Sequence, residues 1–555
     1  MSEKKPVTVV ERIKLASDGL RGTLAQSLKD ELTGAIREDD QALIKFHGMY
    51  QQDDRDRREE RSAKKLEWLY SFMIRLRLPG GFMTAEQWKG LHHITGEHTT
   101  GVIKITTRQT VQLHGILKSH IKPTLKAFNT LALDSIAACG DVNRNVTCSS
   151  HPAQSKIHAE IFAYADKISR MALPKTRAYY EIWLDEQPLL NKEEENDPLY
   201  QQTYLPRKFK IGIAIPPDND VDVFSNDVAL IAIVENDELK GFNIAAGGGL
   251  GTTHGNDSTY ARLATVLGFV DTEEKLMKAV YEIMTIQRDF GDRTDRKLAR
   301  LKYTLDRMGV EAFKTELERR TGFALETSRA FEFTSRADHF GWHRNHEGKW
   351  YYTAFVESGR VLDEKNLTAK SAFYEIAETG KANFRFTCNQ NLIISDVNDL
   401  DKDLIHSILE KHGVIKFTEE SRAARKSSIA CVAFNTCPLA LAEAQRYLPK
   451  LITKLEPVFA KHGLEGDEIS IRMTGCPNGC GRPTLAEIGF IGTAYGRYNM
   501  HLGGDRLGYR LNKKYRTDLD ETEIINELDI LFGSYAKERT DAESFGDYIN
   551  RRQLV

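Results

Sequence analysis

Four cysteines late in the chain have the spacing of a metal centre. Cys431 and Cys437 stand in SSIACVAFNTCPLALAEA with five residues between them, and Cys476 and Cys480 stand in IRMTGCPNGCGRP with three. Two pairs of thiolates on two loops suit zinc or an iron–sulfur cluster. Zinc knuckles place about two to four residues between the ligands of a pair, and the wider first gap departs from that. Gly475, Pro477, Gly479, Gly481 and Pro483 remove side-chain bulk around the sulfurs, so backbone N–H groups can approach them. The pattern favours a cluster over a zinc-stabilised scaffold or a set of core thiols.

A second set of candidates is basic: Arg75 in RLRLPGG, Arg144 in DVNRNVTC, and Lys208 and Lys210 in YLPRKFK. Such groups neutralise a small oxyanion, donate hydrogen bonds to it and organise water that carries protons. Taken singly, each reads first as a surface charge or an ion-pair member. The formal net charge of −2 over 555 residues gives no global pull towards nucleic acid or an anionic membrane. An anionic substrate therefore needs a local basic pocket.

The elements that must position these residues follow from hydrophobic period and breakers. QQDDRDRREERSAKK (51–65) carries both charge signs and reads as a solvated helix or an ordered arm. From Trp68, WLYSFMIRLRLPGG reads as a strand and turn, TAEQWKGLHHITGEH as a short helix, and GVIKITTRQTVQLHGI as two strands about a polar loop. The same pattern returns in KWYYTAFVESGRV, AKSAFYEIAETG and FRFTCNQNLIISDV, where Lys104–Gln109 aligns with Arg385–Gln390. Two copies this far apart suggest half-domains paired about a pseudo-twofold axis. The first copy keeps Arg108, Gln112 and His114 where the second has Asn389, Ile393 and Ser395, so function is expected in the first. Between the copies lie a helix at 158–172, strands at 207–216 and 227–236, and helical patterns through 271–322. GFNIAAGGGLGTTHG fits neither a P-loop nor G-x-G-x-x-G, which excludes nucleotide binding there. Beyond residue 413, Pro438 onwards reads as a helix kinked at Pro449, strands flank the second cysteine pair, and a last helix starts near Glu521. No run of 18 apolar residues exists, so no membrane-spanning helix is expected. MSEKKPVTVVERIKLASDG lacks the apolar core of a secretion signal, and seven cysteines are too few and odd in number for a disulfide framework. A reducing cytoplasm is the expected compartment.

The Cys-x5-Cys and T-G-C-x-N-x-C contexts, with HGMYQQDDRD near the start and GRYNMHLGG near the end, resemble the sirohaem-containing sulfite and nitrite reductases over nearly the whole chain. Within them the likeness is to the NADPH-linked sulfite-reducing branch. The resemblance implies a multi-domain α+β fold: a pseudo-twofold pair of ferredoxin-like repeats plus two α/β domains around a central cofactor site. The corresponding divisions are an arm at 1–66 that contacts a flavoprotein, a first repeat at 67–136, an α/β sirohaem and substrate domain at 137–337, a second repeat at 338–412 and a cluster domain at 413–555.

The resemblance also implies cofactors and roles. Sirohaem and a 4Fe-4S cluster are expected, with Cys431, Cys437, Cys476 and Cys480 on the cluster and Cys480 shared with the haem iron. Arg75, Arg144, Lys208 and Lys210 are expected to bind the anion. Lys104, Thr106, Arg108, Gln112, His114, Arg207 and Asn478 are expected to contact sirohaem, His114 by packing rather than iron ligation. The chain has no flavin or nicotinamide fingerprint, so electrons are expected from NADPH through a separate subunit carrying FAD and FMN. The implied reaction is six-electron reduction of sulfite to sulfide for sulfate assimilation and cysteine biosynthesis; the cysteine motif alone does not separate this from nitrite reduction to ammonia. Cys139, Cys148 and Cys388 read as buried, unreactive thiols.

Overall fold

In the computed structural model, which describes residues 6–150, 155–176 and 197–555, four five-stranded mixed or antiparallel sheets carry the chain. The first five residues of the expected arm lie outside the described residues. The first repeat is an antiparallel sheet in the order Met49–Asp53, Tyr70–Arg75, Val111–Ile116, Ile103–Ile105, Arg360–Val361. The second runs Gly341–Arg344, Trp350–Ala354, Leu392–Val397, Asn383–Phe386, Phe82–Met83. Each sheet thus ends on a short strand lent by the other copy: Arg360 pairs with Lys104, and Phe82 with Arg385. Reciprocal exchange of this kind fixes the pseudo-twofold relation that the sequence repeat suggests. Trp88 seals it. Fully buried on helix Ala85–His98, it stacks on Phe384 at 4.7 Å and meets Phe373 edge-on at 5.9 Å. Thr84 and Gln87 close a capping box at the start of that helix.

The α/β parts are duplicated too, and sequence reading did not find this. Thr147–Cys148, Ile211–Ala214 and Val228–Glu235 are parallel neighbours followed by antiparallel Glu238–Ala246 and Thr265–Val270. Ile429–Ala430, Ile471–Thr474, Ile488–Ala494, Arg497–Leu502 and Lys513–Leu519 repeat that order and those directions. Short 3₁₀ turns at Val223–Ser225 and Pro483–Leu485 match, as do the helices Glu273–Phe290 and Glu521–Glu538. The residues preceding the two turns, Asp222 and Arg482, are both left-handed. These two equivalent residues meet each other at 2.9 Å.

Asp222 also accepts from Arg472 at 2.6 Å and lies 3.7 Å from Arg336, all of them buried. Burial alone would raise its pKa; the three guanidiniums hold it far below the usual carboxylate range. Asp222→Ala leaves those cations buried without their common anion. The expected cost is about 3–5 kcal/mol, read as a lowered denaturant midpoint in equilibrium unfolding.

Two expectations need correction. Residues 51–53 belong to an edge strand of the first repeat, paired with Tyr70–Phe72, and only Arg58–Ala63 is α-helical in the 51–65 segment. Its polar residues stand on a strand with one partner only. The stretch after Pro438 is not a kinked helix: the helix is Leu448–Lys461, and Pro449 lies in its first turn, where a missing N–H costs nothing. No described helix is long and apolar enough to cross a membrane.

Candidate cofactor and anion site

Strand pairing brings the two cysteine loops together. Ile429–Ala430 runs parallel to Ile471–Thr474, so the chain leaves both strands at the same edge, into Cys431 on one side and Gly475–Cys476 on the other. Cys431 N donates to Met473 O at 3.2 Å, and Gly475 N points at Cys431 Sγ at 3.4 Å. Side chains are excluded here: a Cβ on Gly475 would lie 2.4 Å from Ala442 O, and one on Gly481 2.7 Å from Met473 O. Cys431, Cys437 and Cys476 each feel the charge of Cys480, and Cys431 and Cys437 that of a further thiol of the set. Burial, then this mutual repulsion, pushes Cys437 up to about 12 and raises Cys431 and Cys476. Thiols so arranged need cations among them to ionise. Among the described residues no three His, Cys, Asp or Glu side chains gather to hold a single metal ion.

The basic residues come from the other halves. Arg75 ends its strand and donates to Ala138 O at 3.2 Å and Cys139 Sγ at 2.8 Å. Gln112, opposite on the neighbouring strand, turns its carboxamide oxygen to Arg75 Nε at 3.0 Å. Arg144 shares the Ala138 carbonyl at 3.0 Å, adds Gly140 O at 3.1 Å and reaches the Tyr50 hydroxyl at 3.4 Å. Lys208 and Lys210 sit beyond, within electrostatic reach of Cys480. Among the described residues nothing accepts a hydrogen bond from the charged ends of Arg207, Lys208 or Lys210. Each keeps some accessible surface although protein packs densely around it. Burial, then Arg207 and Lys210, forces Lys208 well below its ordinary pKa; burial, then Arg108 and Arg300, brings Lys210 to about 7. A concentration of buried cations with neutral partners or none fits a polyanionic ligand.

The other expected contacts are more entangled. Arg108 gives both terminal nitrogens to protein, to Asn226, Asn145 O and Ile211 O (2.9 Å), leaving Nε without a partner. Lys104 donates to the carbonyls of Ser358 and Ala430, joining the second repeat to the first cysteine strand. Thr106 Oγ1 accepts from Arg108 N at 3.2 Å and shapes the loop. His114 Nδ1 bonds Gln52 at 2.9 Å and Thr436 at 3.2 Å, its Nε2 is buried without a partner, and burial holds its pKa at about 3, so the ring stays neutral. Asn478 Nδ2 approaches Cys476 Sγ at 3.5 Å. The glycine-rich 247–251 stretch packs on this loop: Thr252 N donates to Pro477 O at 2.9 Å, and a Cβ on Gly251 would come 3.0 Å from Asn478 O. Lys302, fully buried, holds that stretch by the carbonyls of Gly249 (3.1 Å) and Gly251 (2.9 Å).

Sequence reading missed Tyr50, Thr107, whose hydroxyl donates to Cys480 O at 3.0 Å, and Lys302. Thr107 lay within the quoted TTRQ motif and Tyr50 within HGMYQQDDRD; nothing in the sequence marks Lys302. Cys139, Cys148 and Cys388 are buried, and burial pushes Cys148 and Cys388 up to about 12, but Cys139 is a direct partner of Arg75. A cavity of about 520 Å³ lies elsewhere, lined by Lys426, Glu468 and Arg506 among others. By the strand matches above, Lys426 stands where Arg144 does, Glu468 where Lys208 does and Asn389 where Arg108 does. The second half keeps a cation at the Arg144 position and has none at those of Lys208 and Arg108.

Comparison with known proteins agrees with this geometry. A family model described as "Nitrite/Sulfite reductase ferredoxin-like half domain" matches residues 69–131 and 343–412, and one described as "Nitrite and sulphite reductase 4Fe-4S domain" matches 163–325. The latter range is the first α/β half; the four cysteines lie in its structural duplicate. The chain is 64% identical over 551 residues, 99% of each chain, to a protein of Leptospira biflexa named "Sulfite reductase [NADPH] hemoprotein beta-component". A protein of the same name from Geobacillus thermodenitrificans is 50% identical over 99% of this chain and 96% of its own. The structure of Mycobacterium tuberculosis NirA protein superposes with a TM-score of 0.79 at 24% identity, covering 99% of this chain and 97% of that one, a likeness of fold.

Proposed function

Because the chain belongs to the nitrite and sulfite reductase family, we propose that Cys431, Cys437, Cys476 and Cys480 hold its 4Fe-4S cluster and that Cys480 also serves the iron of its sirohaem. The protein is the haemoprotein component of an NADPH-dependent sulfite reductase, an oxidoreductase that takes sulfite to sulfide. The bound cofactors supply electron storage and transfer to the substrate sulfur. The residues do the rest. Arg207, Lys208 and Lys210 offer their charges to anionic groups; Arg75 and Arg144, held by protein at all three guanidinium nitrogens, add fixed positive charge. Substrate oxygens leave as water, so protons are needed as well as binding energy: Lys208 and Lys210, whose pKa values burial lowers, can give them, while the arginines stay charged and order the water that carries them.

Lys104, Thr106, Arg108, Gln112, His114 and Asn478 support the haem pocket, chiefly by holding its walls. The NADPH-linked branch draws electrons through a flavoprotein subunit with FAD and FMN, and we place that pairing in the cytoplasm, in sulfate assimilation. The proposed divisions are 1–66, 67–136, 137–337, 338–412 and 413–555, with strand Met49–Asp53 of the first joining the sheet of the second.

One observation carries this reading: the exposed Cys480 lies within electrostatic reach of Lys208 and Lys210, whose ammonium groups have no acceptor among the described residues. Steady-state assays of the holoenzyme on sulfite and on nitrite with one electron donor test it. Higher kcat/KM on sulfite is expected; a much higher value on nitrite would overturn the substrate assignment.

A further inference from the structure

The loop that carries the first cysteine pair has little regular structure of its own. Strand Ile429–Ala430 stops just before Cys431, and the next element is the helix at Leu448. Ala433 has a positive φ of 51°. Its backbone bonds are scattered: Cys437 N to Ala433 O at 3.0 Å, Ala440 N to Cys437 O at 3.2 Å and Gln445 N to Cys431 O at 3.0 Å within it, and Leu441 N to Gly475 O at 2.7 Å across to the second cysteine loop.

A segment from the far end of the chain supplies the missing support. Arg55 N donates to Asn435 O at 3.2 Å, and Arg55 Nη1 donates to Cys437 O at 3.1 Å and Ala440 O at 2.7 Å. The same guanidinium lies 4.3 Å from the centre of the Phe434 ring. Asn435 Nδ2 returns a bond to Asp54 at 2.8 Å, and Arg446 pairs with Asp56 at 2.6 Å. The segment is itself anchored. Asp54 N bonds Leu69 O at 3.1 Å, and the strand before it pairs with Tyr70–Arg75, the strand that ends in an anion-site arginine. Arg58 locks back on Asp53 at 2.6 and 2.8 Å.

We propose that Arg55 is a positioning residue for the cluster: it holds the Cys431–Cys437 loop by two backbone carbonyls, and its fixed positive charge beside Cys437 favours the reduced, more negative cluster. The link makes the first repeat, through one strand and one side chain, a mechanical support of the electron-carrying loop. It assigns the polar 51–65 segment an inward role, distinct from any contact with a partner subunit. The proposal rests on Cys437 being a cluster ligand.

The test compares wild-type holoenzyme, Arg55→Ala and Arg55→Lys for iron and acid-labile sulfide content, for the rate of cluster loss in air, and for the cluster's reduction potential by anaerobic titration. Supporting interactions around metal ligands are worth about tenfold or more in metal affinity. Arg55→Ala is expected to lose its cluster about tenfold faster than wild type and to titrate at a more negative potential. Arg55→Lys keeps the charge but not both bonds, so lability is expected to rise with the potential close to wild type. If Arg55→Lys and any folded Arg55→Ala match wild type in lability and potential, the positioning role is wrong while the cluster assignment stands. Wild-type protein devoid of iron and sulfide after anaerobic purification would remove both.

Discussion

Cys480→Ser should reduce sulfite no faster than background. The backbone around Cys480 is held independently of its sulfur: Thr107 binds its carbonyl, Arg482 two residues later is tied to Asp222, and Gly479 and Gly481 pack on neighbouring backbone. The variant is therefore expected to fold, with an unfolding midpoint near wild type. What it lacks is the thiolate that sits between the other three cysteines and the lysines of the anion pocket. The expected readout is a changed or missing visible spectrum together with lost turnover. A folded variant with the wild-type spectrum and rate would end the assignment of a shared sulfur.

Lys208→Met with Lys210→Met should cut kcat/KM for sulfite by about a thousandfold, since losing one preorganised donor commonly costs a hundred- to a thousandfold or so. Methionine keeps length and apolar packing, so the change isolates charge. Lys210 gives a second readout. At about 7, its pKa is far below the ordinary lysine value near 10.4 or so, the cause being burial first and Arg108 and Arg300 next. It is charged below that value and neutral above. Inhibition by sulfate, whose charge is constant from pH 6 to 8, should therefore weaken in wild type as pH rises, and the slope should flatten in the double variant. A sulfate affinity that is independent of pH in wild type would place Lys210 outside the pocket.

These expectations involve residues whose chemistry shows in a sequence. Paired cysteines among glycines, and arginines beside turn signals, carry their role in their identity and spacing. The paired repeats were legible for the same reason: Gln109 and Gln390 recur, and each has positive φ and clasps the strand beside it, at Cys148 and at Ala430. The α/β duplication was not legible because its equivalent positions share backbone rather than side chains. Asp222 and Arg482 adopt the same left-handed conformation with opposite charge, and Cys476 and Cys480 stand where the first half has Pro216 and Asp220. Once duplicated, the halves could diverge at every side chain while the sheet order stayed fixed.

Other features depended on contacts that span the chain. Arg55 lies in a run of mixed charge that reads as solvated, and only folding puts Cys437 and Ala440 against it. Lys104 and Arg108 were expected at a ligand, yet much of their hydrogen bonding goes to protein carbonyls. For these two the acceptors are the backbone carbonyls of Ser358, Ala430, Asn145 and Ile211. Pro449 shows a smaller limit of the same kind: a proline either breaks a helix or starts one, and the tertiary setting of Leu448 chose the start.

The most direct measurement is iron, acid-labile sulfide and visible absorption on one anaerobically purified sample of the full chain. The four-cysteine centre with a shared sulfur predicts sulfide and iron in the proportions of one 4Fe-4S cluster, one further iron in a tetrapyrrole, and both lost or uncoupled together when Cys480 is changed. A colourless protein carrying zinc and no labile sulfide would contradict it.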